Sequence, residues 1–474
     1  MTKNHYLGLF KVTESQLQSI IAVGMRGGDW CDLYFEDTSY NDLLLRDGQV
    51  ASGGFHVDYG CGVRVLCGEK TGYAYSESTD MASLMQAARA AASLKPFAGA
   101  QCVSCAAAPT PEAKVGDWYP MTEDWRSSEL SRFVPWLQQL DTAIRSRDSR
   151  VVKVIAMLSY SVSEVMMFNS LGELTFDTRP LGSVSVTTIF SQNGQTKQKS
   201  VSKSLRVGTE MIDASLLEEL AASAVKGVDE SFAARRPKGG QMSVVMKAGA
   251  SGILLHEAMG HAFEADFNRK GQSIFSDRMG QRICRKGISI LDDATIPGNR
   301  GSLNVDDEGV AGQKTYMVSD GVLTSYLHDR ISAGYYGVSP TGNGRRESFR
   351  YNPIPRMRAT YMENGSDGSC EDLIASVDKG IYVDQFANGE VKIGEGDFTF
   401  YVKSGFLIER GRLTMPVADI NIIGNGPQAL ADIQAVAGDL IVDDSTWTCG
   451  KGQSAAVSCG IPSVLISNLT VGGE

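Results

Sequence analysis

The chain has 474 residues, a net charge of −10 and a pI near 5.2. Its 42% hydrophobic and 21% charged residues are ordinary globular usage, which excludes disorder, and its length predicts two or three domains with ample core. The acidic balance argues against binding nucleic acid or an anionic membrane, since both need clustered Lys and Arg. No apolar run approaches the roughly 20 residues that span a bilayer.

Targeting and redox signals point to one compartment. The first twenty residues lack the basic head, apolar run and small-residue cleavage site of a secretory signal. Nine cysteines, an odd number spread over a long chain, do not form a disulfide framework. Cys102 and Cys105 have CxxC spacing without a second pair or a neighbouring histidine, and we interpret them as structural. We therefore predict a cytoplasmic protein.

The first half reads as mixed helix and strand. Turn signals stand at 169–172 and at Asn193-Gly194, a strong hairpin dipeptide. The run 235–240, RRPKGG, reads as a linker, and we place the main domain boundary there. The predicted strands are 43–51, 61–67 and several within 151–207, and the predicted helices are 81–94, 129–147 and 209–234.

The second half reads as mostly β around one helix. We expect a hairpin with its turn at 319–321, a second hairpin with its turn at Lys403-Ser404, and a short helix over 426–437. The fold class is therefore α+β. We predict an N-terminal α+β domain at 1–235 and a mostly β domain at 236–474 that carries a distorted metal-binding helix.

The most informative stretch is HEAMGH at 256–261, which uses two of only five histidines. Imidazole nitrogens bind Zn²⁺ well, and a catalytic zinc site has three protein ligands plus a water whose pKa the metal lowers. Glu257, beside the first histidine, can take the proton from that water. The motif therefore predicts a zinc hydrolase with His256 and His261 as ligands, although both are also explained as hydrogen-bonded structural histidines.

The spacing of the two histidines is one residue longer than in H-E-x-x-H. Positions five apart diverge by about 140° around a regular α-helix, so the two rings would not meet. A π-type turn, whose hydrogen bonds run from i to i+5, would bring them back to one side. Because Gly260 tolerates local rewinding, we predict a distorted or broken helix at 259–261. Apolar residues at three- and four-residue steps, from Leu254 to Phe263, predict a helix buried against a core.

Further segments form an ordered pattern with this motif. In the second half they are HEAMGHAFEAD at 256–266, CGKGQ at 449–453 and NLTVGG at 468–473; in the first half they are DLYFE at 32–36, RDG at 46–48, GVRV at 62–65 and TGYAYS at 71–76. Taken together the chain resembles the TldD/PmbA family of metallopeptidases over nearly its whole length. The family's older description as a modulator of DNA gyrase gains no support from the charge balance.

The resemblance implies a site and a partner. TldD-type members bind zinc through H-E-x-x-x-H and a cysteine near the C-terminus, which maps onto His256, His261 and Cys449, with Glu257 as the catalytic carboxylate. It also implies unstructured peptide substrates held in extended form in a chamber enclosed by a dimer. That dimer is either a homodimer or a heterodimer with a metal-less paralogue, and this chain resembles the metal-bearing partner.

Several alternatives stay open on the residues alone. The third ligand could instead be Glu264, Asp266 or His328, which we rank below Cys449. Five arginines at 345–358 favour a solvated surface loop over a flap that meets the peptide. By residue type, His328, Arg330, Tyr335 and Tyr336 are candidates for stabilising an oxyanion.

We predict a zinc metallopeptidase that hydrolyses unstructured peptides through a zinc-bound water activated by Glu257. Two other functions compete with it. One is a zinc-stabilised regulatory scaffold, which a fourth protein ligand would favour. The other is a zinc amidohydrolase acting on a non-peptide amide, which would share the site and differ only in its pocket.

Overall fold

The computed structural model describes residues 2–93, 116–392 and 394–473, so Cys102 and Cys105 lie outside the described residues. The first half contains α1 (Lys3–Leu9), α2 (Glu14–Gly24), β1 (Trp30–Arg46), β2 (Gln49–Cys67), β3 (Lys70–Ser76), α3 (Met81–Ala91), α4 (Val134–Arg147), β4 (Val151–Asn169), β5 (Leu174–Gln192), β6 (Gln195–Leu205), α5 (Ala214–Val225) and α6 (Val228–Ala233). Short 3₁₀ turns lie at Trp125–Ser127, Leu130–Phe133 and Thr209–Met211.

These strands form one antiparallel sheet, which we call the first sheet, in the order β3-β2-β1-β4-β5-β6. Its strands reach 19 residues, long enough for two separate helical layers to pack against it. Helices α1, α2 and α3 cover one part of the sheet, with Leu17 and Leu84 in their core. Helices α4 and α5 cover another part through Leu137 and Leu220.

Two-residue turns set the register of the first sheet. Asn193 and Gly194 have φ values of 51° and 78°, so the predicted hairpin turn is confirmed. Asp47 and Gly48, with φ values of 52° and 73°, make an equivalent turn between β1 and β2. The predicted single strand at 43–51 is therefore wrong, because it spans this turn.

The second half contains β7 (Gly240–Met246), α7 (Gly252–Leu255), α8 (Ala265–Arg269), β8 (Ile290–Asp293), β9 (Lys314–Ser319), β10 (Val322–Leu323), α9 (Arg330–Tyr336), β11 (Gly344–Arg345), β12 (Ile354–Pro355), β13 (Ala359–Met362), α10 (Cys370–Ala375), β14 (Lys379–Val391), β15 (Asp397–Glu409), β16 (Arg412–Val417), β17 (Ile420–Asn425), α11 (Gly426–Ala431), β18 (Ile433–Val436), β19 (Ile441–Asp443), β20 (Thr448–Gly450), β21 (Ser454–Ala456), β22 (Ser458–Ile461) and β23 (Val464–Gly472). The α+β prediction with a mostly β second half is confirmed, whereas the division at 235/236 stays a prediction.

One sheet of the second half closes on itself. Its order is β14-β7-β23-β17-β15-β16, and β14 also pairs with β15. A second sheet has the order β10-β9-β8-β13-β22-β19. The segment that carries the two motif histidines packs against both sheets, because Leu254, Leu255 and Met259 share one buried core with residues of the closed sheet such as Phe400 and Ile422.

Two predicted elements of the second half are corrected. Strand β15 runs without interruption through the predicted turn at Lys403-Ser404, and the chain reverses instead at Arg410 and Gly411, whose φ values are 52° and 73°. The helix predicted over 426–437 ends at Ala431, after which the chain enters β18. The hairpin with its turn at 319–321 is confirmed by the pairing of β9 with β10.

Buried ion pairs join the first sheet to the second half. Arg64 of β2 is fully buried and bonds Asp32 of β1 and Glu308, each at 2.6 Å. Arg179 of β5 bonds Asp307 at 2.5 Å. The two halves therefore share a desolvated polar interface. Removing one partner of such an ion pair leaves the other charge buried and unpaired. No helix in the described parts of the chain is long and apolar enough to cross a membrane.

Candidate metal centre

The segment that carries the two motif histidines changes helix type twice. It begins as α-helix at Gly252–Leu255, becomes a π-helix at His256–Gly260 and continues as a 3₁₀ turn at His261–Phe263. The His261 N–H donates to the carbonyl of His256, which is the i to i+5 hydrogen bond of a π turn. The predicted distortion of this helix is confirmed.

The π turn brings the two imidazole rings together. Their centroids lie 5.2 Å apart at an interplanar angle of 82°, and both rings are buried. Cys449 is also buried, and its Sγ lies 3.2 Å from His261 Nε2. The three ligand atoms of His256, His261 and Cys449 all lie within 4.8 Å of one another. Two residues five apart and a cysteine from a remote strand therefore form one cluster, which we call the His-His-Cys cluster.

Two glycines allow this segment to seat closely. A Cβ on Gly252 would lie 2.6 Å from the backbone nitrogen of Gly460 in β22, closer than real Cβ atoms come. A Cβ on Gly260 would lie 2.2 Å from Met357 Sδ. The absence of these two side chains lets the helix approach β22 and the chain before β13, which fixes where both histidines point.

Cys449 reaches the cluster on the hairpin of β20 and β21, which form a two-stranded sheet of their own. The buried guanidinium of Arg356 donates to the carbonyls of Cys449, at 2.7 Å, and Gln453, at 2.8 Å. Arg356 therefore fixes strand β20 and the turn of the hairpin in place. It comes from the arginine-rich segment 345–358.

A buried carboxylate orients His261 from behind. Glu264 has no exposed side-chain surface, and its Oε2 accepts from His261 Nδ1 at 2.9 Å. This bond directs His261 Nε2 toward Cys449, as carboxylates commonly do for metal-binding histidines. Lys451 Nζ bonds Glu264 at 3.0 Å and Asp266 at 2.7 Å, which balances the buried charge.

Electrostatics keep the thiol of Cys449 ionised. Burial raises its pKa, but His256 and His261 outweigh burial and lower that pKa to about 5. Burial also raises the pKa of Glu264, yet Lys451 and His261 lower it to about 2. The cluster therefore offers a thiolate at neutral pH, with a second anion behind it.

Glu257 lies at the rim of the cluster. Its Oε2 lies 4.0 Å from His261 Nε2, and a quarter of its side chain is exposed, whereas the three members of the His-His-Cys cluster are buried. It is the carboxylate that both adjoins the cluster and reaches solvent. A group that exchanges protons with water and acts beside a metal has this placement.

The cluster suits a metal ion on grounds of its own. Neither ring nitrogen of the buried His256 has a hydrogen-bond partner among the described residues, although buried polar atoms are normally paired. Two imidazoles and a thiolate are the donor types that zinc takes. In the described ranges the group comprises these three residues.

Comparison with known proteins agrees with this chemistry. Three family models match the chain: PmbA/TldA metallopeptidase domain 1 over 31–95, the central domain over 123–231 and the C-terminal domain over 239–473. The "Metalloprotease TldD homolog" of Haemophilus influenzae is 38% identical over 469 residues, 97% of this chain and 96% of that protein. This chain belongs to the TldD/PmbA metallopeptidase family.

Other known proteins are also similar to this chain. The TldD homolog of Buchnera aphidicola from Acyrthosiphon pisum is 34% identical, covering 94% of this chain and 93% of that protein. TldE from Thermococcus kodakarensis shares the fold at a TM-score of 0.76 and 19% identity, over 97% of this chain and 100% of that one. A Bacteroides thetaiotaomicron protein described as a putative modulator of DNA gyrase has the same TM-score and 19% identity, over 97% and 99% of the chains. Since several TldD/PmbA relatives are named metalloproteases, a metal cofactor and protease activity are implied.

The rival third ligands lie elsewhere around the TldD/PmbA site. Glu264 supports His261 rather than joining the cluster, and Asp266 bonds Lys451. His328 is buried beside Tyr326 and Tyr336, and burial lowers its pKa to about 4.

The oxyanion candidates have other contacts. Arg330 donates to the Glu308 carbonyl, and its guanidinium carbon lies 4.5 Å over the Trp30 ring, so it joins the second half to the first sheet. Tyr336 packs against His328, whereas Tyr335 is half exposed. None of these contacts assigns an oxyanion role.

Arg356 and Lys451 are the residues around the cluster that sequence reasoning missed. Lys451 stood within the CGKGQ motif, which was the signal available for it. Arg356 stood in the segment interpreted as a solvated loop. That interpretation is wrong, because Arg345, Arg346, Arg356 and Arg358 are all buried.

Proposed function

We propose that this protein is a zinc-dependent peptidase that hydrolyses unstructured peptides, with His256, His261 and Cys449 as zinc ligands and Glu257 as the catalytic carboxylate. The observation that carries the proposal is the His-His-Cys cluster with a partly exposed carboxylate 4.0 Å from one of its nitrogens. A zinc ion held there would supply Lewis-acid chemistry, polarising a carbonyl and making a water molecule more acidic.

In the proposed reaction, side chains of the protein transfer the proton of the attacking water. Glu257 accepts it from the attacking water and delivers it to the leaving amine. Glu264 keeps His261 in the tautomer that leaves Nε2 free to bind metal, because Nδ1 donates to the carboxylate. Lys451 holds Glu264 ionised throughout.

An extended substrate fits the surroundings of Cys449. The hairpin of β20 and β21 pairs with no third strand among the described residues. Glu347 and Arg345 already bond the Ser454 N–H and the Ala456 carbonyl of β21, so the edge proposed for a substrate strand is that of β20. A peptide that adds a strand there is bound through its backbone, which tolerates many sequences and requires an unfolded segment. This supports unstructured peptides as the substrate class.

Assembly and location complete the proposal. A dimer, either of two copies or with a metal-less paralogue, would enclose the site and keep folded proteins out by size. A cytoplasmic location suits buried thiols such as those of Cys31, Cys61 and Cys459, which form no disulfide among the described residues. Light scattering of the purified protein, alone and mixed with a paralogue, tests the assembly.

Two other functions share the cluster. In a zinc-stabilised scaffold the metal would hold the second half together without catalysis, and a closed site with four protein ligands would favour it. The three-residue cluster with Glu257 at its rim favours catalysis instead. An amidohydrolase acting on a non-peptide amide would use the same residues.

The deciding experiment is Glu257→Gln. We expect this variant to keep its metal content and melting temperature, because Glu257 is not a proposed ligand. Its kcat on an unstructured peptide should fall roughly 100- to 10,000-fold, the usual contribution of a general base. Peptide cleavage is followed by mass spectrometry, and metal content by elemental analysis.

The matched control is Glu218→Gln, which removes an exposed carboxylate on α5 and should leave kcat unchanged. Unchanged cleavage by the Glu257 variant would refute the peptidase mechanism. Absence of peptide cleavage by the wild-type protein, together with its turnover of small amides, would identify the amidohydrolase.

A further inference from the structure

A cavity that contains several arginine side chains lies between the first sheet and the hairpin that carries Cys449. It has a volume of about 270 Å³. The first sheet contributes Tyr34 and Arg179 to its wall, and the second half contributes Arg345. Thr448 and Ala455 line it from the hairpin, and Ala455 is the strand partner of Cys449. The cavity and the His-His-Cys cluster therefore share one hairpin.

Two of the arginines in this cavity have acidic partners. Arg179 bonds Asp177 at 3.0 Å and Asp307 at 2.5 Å. Arg346 has Asp32 at 3.8 Å, and its backbone N–H donates to Asp307. Their charges are balanced within the protein.

The other two arginines have none. Arg206 and Arg345 are each only 6% exposed. Arg206 donates to the carbonyls of Arg300 and Pro180, and Arg345 donates to those of Met357 and Ala456. Neither has a carboxylate partner among the described residues. The Arg206 guanidinium carbon also lies 5.6 Å from the centroid of the Tyr119 ring. A buried cation without a counter-ion is costly, so these contacts leave a site where an anionic ligand would be favoured.

Three acids line the cavity: Asp307, which already pairs with Arg179, and Glu36 and Glu347, which do not cancel this excess. Burial raises the pKa of Glu36 to about 7, and its two oxygens already accept from Thr38 and the Phe349 N–H. Glu347 is exposed and accepts from the Ser454 N–H. Burial is the main cause that depresses the pKa of Arg345; Asp307 opposes it, and the neighbouring Arg206 adds to it.

We propose that this cavity binds a carboxylate of the peptide substrate through Arg206 and Arg345. The inference rests on the proposed peptidase function and names a chemical feature of its substrate. Planar guanidinium groups match the two oxygens of a carboxylate. Every peptide with a free C-terminus carries such a group. A substrate peptide lying along the hairpin would run from the His-His-Cys cluster toward the cavity.

The first test needs only wild-type protein. Three peptides of one neutral sequence are compared: a C-terminal free acid, its C-terminal amide, and the amide with one added Glu. Binding to metal-free protein is measured by calorimetry, and KM is measured on metal-loaded protein. We expect the amide to bind roughly 10- to 100-fold more weakly than the free acid, the scale of hydrogen bonds to a charged group.

The third peptide distinguishes the source of the carboxylate. If the added Glu restores binding, the cavity takes acidic side chains; if it does not, the cavity is specific for the C-terminus. Either result supports a carboxylate site. Equal binding of the free acid and the plain amide overturns it.

Variants then place the effect in the cavity. Arg345→Gln should remove the preference for the free acid, and Arg345→Lys, which keeps the charge but loses the planar fork, should retain part of it. Arg350→Gln is the control, because Arg350 comes from the same segment but bonds Asp58 and Glu77. A preference unchanged in Arg345→Gln overturns the inference.

The two proposals fail separately. If Glu257→Gln cleaves peptides normally while metal-free protein still prefers the free acid, the catalytic mechanism is refuted and the carboxylate site is supported. If wild-type protein cleaves both peptides equally well and Glu257→Gln cleaves neither, the peptidase stands and the carboxylate site falls.

Discussion

Glu264 supports the His-His-Cys cluster without belonging to it. It is fully buried, and its charge is shared between the His261 ring and the Lys451 ammonium group. Such an arrangement fixes a ring against rotation at the point where a ligand atom must be aimed. We therefore expect residues behind the proposed ligands to affect metal affinity as well.

We expect Glu264→Gln to weaken metal binding roughly 10- to 100-fold, because the amide supports the His261 ring less strongly and leaves Lys451 with one acidic partner. Affinity is measured by competition with a chelator. The matched control is Asp266→Asn, which removes the other acidic partner of Lys451 but does not touch His261. Equal losses in the two variants would show that Lys451 matters and that the bond to His261 does not.

Only part of the His-His-Cys cluster could be predicted from the residues themselves. His256 and His261 stood out because histidine is scarce and the i to i+5 spacing demands one helix distortion, which the structure contains. Cys449 was singled out only through resemblance to a family, because one cysteine among nine has no local pattern. Arg356 was misjudged because irregular chain carries no periodicity that separates buried from exposed residues.

At the scale of elements, the helix that carries His256 and His261 is divided into three short turns. Together these turns orient the two imidazole rings toward each other. Its first turn is anchored by close backbone contact with β22, since Gly252 leaves no room for a Cβ above Gly460. Its π turn then closes through the bond between His261 and His256. The contact between Gly252 and Gly460 therefore supports the π turn, which begins four residues later at His256.

We expect Gly252→Ala to destabilise the protein by about 1–3 kcal/mol, the usual cost of overpacking, because backbone atoms cannot move aside. Metal affinity should fall as well, since the displaced turn precedes His256. Gly8→Ala is the control: it lies in α1 with open space around its Cβ position, and alanine there should be neutral or stabilising. Chemical denaturation measures both variants, and equal midpoints would contradict the close-packing argument.

Element types were easier to predict than their ends. The dipeptide at 193–194 fixed one hairpin correctly, yet the equivalent turn at Asp47-Gly48 was placed inside a strand. At Lys403-Ser404 polar residues suggested a turn, although these residues continue β15. Half-exposed strands tolerate polar residues on one face, so composition alone does not reveal where a long strand ends.

At the scale of the whole molecule, the two halves are joined through buried charges. Arg64 lies at the centre, with no exposed surface and carboxylates from both halves as partners. Such pairs add little net stability over apolar packing, but they penalise separation or removal of one partner strongly. They therefore set the relative position of the first sheet and the His-His-Cys cluster.

We expect Arg64→Met to destabilise the protein by about 3–5 kcal/mol, because it leaves Asp32 and Glu308 buried without their cation. Arg147→Met, which breaks an exposed pair with Glu218, should cost about 0–1 kcal/mol. Urea denaturation of both variants measures the difference. Similar midpoints would mean that solvent reaches the interface and that the halves are joined by other contacts.

His261 and Cys449 are separated by 188 residues, and this separation affects when the cluster can form during translation. A nascent chain that has exposed both histidines still lacks the thiolate, and β7 cannot gain its neighbour β23 until translation has passed beyond that cysteine. The complete His-His-Cys cluster therefore forms only after almost all of the polypeptide has been synthesised, and the hydrolytic activity proposed for it cannot begin on a partial chain.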